Sequence, residues 1–73
     1  TGNFNKAEKF LRKAVLLMPD DPIVNDHYGD ILWKLNRKIE ARYFWKSVLK
    51  LEETEAEMRN KIKQKLIIGL EDA

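Results

Sequence analysis

Residues Pro22–Leu51 read P-I-V-N-D-H-Y-G-D-I-L-W-K-L-N-R-K-I-E-A-R-Y-F-W-K-S-V-L-K-L. Two apolar stripes flank a short polar break at Asn36 and Arg37. Val24, Tyr28, Ile31, Leu32 and Leu35 fall at offsets 0, 4, 7, 8 and 11, and Ala41, Phe44, Trp45, Val48 and Leu49 at 0, 3, 4, 7 and 8. Both spacings trace one face of a helix, so helices are predicted over about 22–35 and 37–51. Asp21 is the expected N-cap of the earlier helix, with Pro22 at its first position, where a missing N–H costs nothing. Asn36 tolerates the left-handed backbone that ends a helix. Gly29, in mid-helix, costs about 1 kcal/mol relative to Ala. It is best tolerated where another backbone comes close, and the expected neighbour is the following helix near Ala41.

Upstream, Ala7, Phe10, Leu11, Ala14 and Val15 repeat the 0, 3, 4, 7, 8 spacing. Asn3 or Asn5 is expected to cap that helix, with Glu8 completing a capping box, and Pro19 and Pro22 close the turn after it. Shifting this segment by 34 residues brings Ala7 onto Ala41, Phe10 onto Phe44, Leu11 onto Trp45, Ala14 onto Val48, Val15 onto Leu49 and Leu17 onto Leu51. Arg12 meets Lys46 on the opposite face, and Gly2 meets the turn residue Asn36. Downstream, Thr54 and Glu57 form an expected capping box for a fourth helix. Met58, Ile62, Leu66 and Leu70 make its buried stripe, and Gly69 ends it.

Thirty-four residues is the period of the tetratricopeptide repeat (TPR) family. The chain resembles that family from Gly2 to Leu51. Ala7, Leu11, Ala14, Pro19, Tyr28, Gly29, Ala41, Trp45 and Val48 stand at its structural positions. Asn25 departs from the pattern, where a large aromatic is preferred; so do Val48, in place of a second Ala, and Glu53, in place of a closing Pro. The D-P-x-V-x-D-H-x-G-D-x-x-W wording of Asp21–Trp33 is similar to late repeats of bacterial multi-TPR proteins. The resemblance implies an all-α, right-handed α-solenoid fragment: an antiparallel helix-turn-helix TPR array of about one and a half repeats plus a C-terminal capping helix. One domain is expected over 1–73, with 2–19 the second half of a repeat, 20–52 a full repeat and 53–73 the cap. Thr1 in place of an initiator Met reads the chain as a fragment or processed product.

The resemblance also implies function. In such arrays the first helix of each pair lines a concave groove, which places Ile23, Asp26, Asp30, Trp33 and Lys34 on a partner-binding wall. Trp33 is the candidate anchor for a peptide side chain; the plainer reading packs it against a neighbouring helix or the cap. Some TPR domains clamp a peptide carboxylate with Lys and Asn at these positions. Asp26 and Asp30 stand there instead, so the expected partner is a basic peptide or protein. The plainer reading of the two acids is solvation, with Asp30 paired to Lys34 at i+4.

Other classes of function find little in the chain. Asp26 and Asp30 lack a nucleophile or oxyanion hole, so no enzyme is expected. His27 and Asp30 offer two metal ligands without a third, so no metal or cofactor is expected. There is no cysteine, hence no disulfide or thiolate site. No apolar run is long enough to span a bilayer. A net charge of +2 does not by itself imply nucleic acid. The basic run Arg59–Lys65 is expected to be a solvated face, with nucleic acid or an anionic surface as a weaker alternative. A structural alternative is self-association through the open edge of the first helix, or through Ile67, Ile68 and Leu70.

Overall fold

The computed structural model describes residues 2–70 and contains four helices: α1 (Gly2–Leu17), α2 (Pro22–Lys34), α3 (Lys38–Lys50) and α4 (Ala56–Ile68). Short connections make neighbours antiparallel, and α2 packs against both α1 and α3, while α3 packs against α4. The molecule measures 33 × 29 × 17 Å, the least dimension being that of two packed helix layers.

Local signals set most of the boundaries. Asp21 caps α2, its carboxylate accepting from the Ile23 and Val24 N–H groups at 2.9 and 3.1 Å, with Pro22 at the first position. At the other end Asn36 has φ 65°, and the Arg37 and Asn36 N–H groups donate to the Leu32 and Trp33 carbonyls. That is a Schellman closure with Asn in the place usually held by Gly. It turns the chain directly into α3.

Tyr28, Leu32, Trp33, Ala41, Trp45, Val48 and Ile62 form the buried core. Gly29 lies under the Trp45 indole: a Cβ there would come within 2.5 Å of Nε1 and 3.2 Å of the Ala41 carbonyl oxygen. The expected close approach is present, and Trp45 is its chief occupant. Tyr28 and Phe44 pack edge to face with ring centroids 4.7 Å apart.

Three expectations are corrected. α1 already includes Asn3 and Asn5, so neither caps it, and Gly2 is helical where Asn36 turns. Phe10 is 72% exposed, although the same spacing buries half of Phe44, because among the described residues no helix covers that side of α1. The Thr54–Glu57 capping box does not form: the Thr54 hydroxyl donates to the Val48 carbonyl at 2.7 Å, and α4 starts after Glu55. Gly69 does end α4, with φ 72° in the left-handed region. Residues 71–73 of the expected cap segment lie outside the described residues.

The 34-residue period reaches further than the sequence reading placed it. α4 begins 34 residues after α2 begins and ends 34 residues after α2 ends. The N-caps Asp21 and Glu55 correspond, and the buried Ile62 takes the place of Tyr28.

Candidate functional site

Ile23, Asp26, Asp30 and Trp33 lie along one side of α2, and each meets α4 or the segments flanking it. Ile23 shares a groove of about 200 Å³ with Pro22, Met58, Glu53 and Glu55. Lys65 Nζ lies 2.8 Å from Asp26 Oδ1, and 2.9 and 3.2 Å from the two Asp30 oxygens. Gly69 sits against the Trp33 ring so closely that a Cβ would overlap it. These contacts follow the same order along both helices, so α4 runs parallel to α2.

The expected groove wall is therefore occupied by the chain itself. Trp33 is 8% exposed, its ring tilted against Trp45 at 5.4 Å and flanked by Lys38 and Arg42, so it is not presented to solvent as an anchor. Lys34 does not pair with Asp30. It points to the α1 side, its ammonium 5.5 Å from the Phe4 ring. Of the five, Ile23, at 57%, and Lys34 remain exposed, and Ile23 is the apolar one.

The electrostatics follow from one ammonium shared by two carboxylates. Burial alone would lower the Lys65 pKa, but the hydrogen bonds it donates to Asp26 and Asp30 outweigh it and raise the amine above its usual range. Asp26 moves up as well, because its desolvation exceeds the help it gets from half an ammonium, and Asp30 repels it. Asp30 is oriented from behind: Trp45 Nε1 donates to its Oδ1 at 3.1 Å. Asp30 is thus held between α2 and α3 by a contact that does not involve α4.

The second grip of α4 is Arg59. It donates to the carbonyls of Leu49 (2.6 Å), Leu51 (2.7 Å) and Thr54 (3.0 Å). The first of these lies in the last turn of α3 and the second at its C-cap, among the carbonyls a helix end leaves unpaired. Asn25, one period earlier, does the same for the preceding turn, donating to the Pro19 and Asp21 carbonyls at 3.0 and 2.8 Å. That accounts for a buried Asn at this position, where the resemblance implied an aromatic. The basic run Arg59–Lys65 is accordingly not a uniform solvated face: Arg59 and Lys65 are tied to protein groups, and Lys61 and Lys63 are exposed.

Sequence reasoning missed Arg59, Lys65 and Glu8. Glu8 is 7% exposed and accepts from the Tyr28 hydroxyl at 2.8 Å, with Arg12 and Arg37 at 3.6 and 3.7 Å. A signal for the α4 pair was present: Arg59, Ile62 and Lys65 stand at three-residue steps and so share a face. His27 is exposed, and among the described residues no group of three His, Cys, Asp or Glu side chains could hold a metal. No helix of the described residues is long and apolar enough to cross a membrane. Comparison with family models, with known proteins and with solved structures gives no match.

Proposed function

We propose that the chain is a non-catalytic protein-interaction scaffold, a TPR-type array whose α2–α3 face reads a basic helix or peptide. The observation that carries this reading is the lysine ammonium held between Asp26 and Asp30. It supplies a worked example, within the molecule, of the ligand chemistry the acid pair accepts. The groove at Ile23, apolar at its base and rimmed by Glu53 and Glu55, extends the same preference along the face. The 34-residue correspondence of α2 with α4 supports the repeat architecture.

Fluorescence titration of the chain with matched amphipathic peptides, one carrying lysines and one glutamates on the polar face, tests it. The basic peptide is expected to bind at least about tenfold more tightly, a difference of about 1.4 kcal/mol. A preference for the acidic peptide overturns the reading.

A second reading has its own observation. Phe10 and Leu17 are 72% and 82% exposed on α1, on the side where Phe44 is covered by Tyr28 one period later. That edge fits self-association or stacking. Sedimentation across a wide concentration range decides it, and a strict monomer removes it.

A further inference from the structure

The acid pair does not stand alone. Three side chains of α4, at three-residue steps, dock on groups supplied by the rest of the chain. Arg59 takes the Leu49 and Leu51 carbonyls at the end of α3, Ile62 is fully buried, and Lys65 takes Asp26 and Asp30. The receiving groups exist without α4. The α3 carbonyls are left over by helix termination, and Asp30 is fixed by Trp45. α4 buries less than α2: Ile62 is its one fully buried residue, against five in α2, and Ile67 and Ile68 are 78% and 62% exposed. Met58, Leu66 and Leu70 pack partly buried against the core beside it. Its attachment thus joins an apolar strip to two polar grips, all of which a helix of like pattern can reproduce.

We infer that α4 is a displaceable occupant of this face, and that the face takes in its place a basic amphipathic helix of another protein carrying arginine, an aliphatic residue and lysine at three-residue steps. The inference rests on the scaffold reading above and adds two things to it: the register of the partner and a built-in competitor. Charge complementarity selects this occupant. An acidic helix would set carboxylates against Asp26, Asp30 and the α3 carbonyl end, while the cations of the face, Lys38 and Arg42, lie at its other end beside Trp33. Occupancy by α4 reduces the apparent affinity for the partner by the fraction of time the face is open.

The probe is a labelled synthetic peptide with the sequence of residues 54–70, titrated into the full chain. In K65M, where the stem still packs but the ammonium is gone, the peptide is expected to bind at least about tenfold more tightly than in wild type, because the internal competitor is weakened. The same peptide with methionine at its own Lys65 position should lose that gain, and D26N/D30N should lose binding in every background. R59Q serves as a second release variant, acting at the far end of α4, with circular dichroism confirming helix content. If wild type and both release variants bind the peptide equally, α4 does not compete and the inference fails while the basic-partner reading stands. If no background binds the peptide or any lysine-bearing helix, the scaffold reading fails as well.

Discussion

Gly29 is the residue on which two helices depend for their separation. Its hydrogen stands where any side chain would meet the Trp45 indole, 2.5 Å from Nε1 and 2.6 Å from Cδ1. Gly29→Ala should gain about 1 kcal/mol of helix propensity and lose more to overpacking, typically 1–3 kcal/mol. A net loss of stability in urea unfolding is the expected result; a gain would mean that Trp45 moves freely. Gly29 was legible in the sequence because a helix tolerates a mid-turn glycine poorly without a reason. Glu8 was not, since its place three residues after Asn5 reads as half of a capping box until Tyr28 is seen to reach it. That bond sets a pH dependence. Burial, with Glu8 beside it, pushes the Tyr28 phenol from 10.0 up to about 12. A raised folded-state pKa contributes stability that is full below 10.0 and is lost as pH rises through the folded value. Lys65 is raised above 10.5 and acts in the same sense. Melting temperature should therefore fall between pH 10 and 12, and Tyr28→Phe should fall less steeply there while being less stable at pH 7 by about 1.5–3 kcal/mol, the worth of a bond to a charged acceptor.

Among the elements, α2 could be read almost to the residue, because its ends are set by chemistry local in sequence: Asp21, Pro22 and Asn36. α4 could not. Its start is set by Thr54, whose hydroxyl finds the Val48 carbonyl six residues back, and by Arg59, which closes the end of α3 instead of lying in water. Neither partner is visible to a pattern that looks only a few residues ahead. The competing accounts separate cleanly. If Thr54 and Glu57 formed a capping box, removing either would cost a similar amount. In the observed arrangement Thr54→Val removes a buried hydrogen bond from the Val48 carbonyl, which keeps only the Leu51 N–H at 3.2 Å, and should cost about 1 kcal/mol. Glu57→Ala, at an exposed position, should stay within about 0.5 kcal/mol. Equal losses in thermal unfolding would restore the box and displace the contact.

Across the whole molecule the period is regular while burial is not. Ala41, Trp45 and Val48 are fully buried, yet Ala7, Leu11 and Ala14, one period earlier, are only half-buried. The sequence pattern shows equivalence of type and is silent about how many neighbours each copy has, which is why Phe10 read as core. In an array stabilised by nearest-neighbour contacts, equivalent residues contribute according to the neighbours present. Phe44 packs edge to face with Tyr28 and is half-buried, so Phe44→Ala should cost about 2–4 kcal/mol, at or below the usual range for a core Phe. Phe10→Ala removes a ring already 72% in solvent and should change stability by no more than about 0.5 kcal/mol. Both changes can be followed by the fluorescence of Trp33 and Trp45, which report on the shared core. Stability in so small a chain is marginal, so the comparison belongs at low temperature, where the more damaging variant still folds. A Phe10→Ala loss approaching that of Phe44→Ala, and growing with protein concentration, would show that a second copy covers the α1 edge in solution. A small loss independent of concentration leaves that edge unoccupied and the α2–α3 face as the surface on which recognition is to be sought.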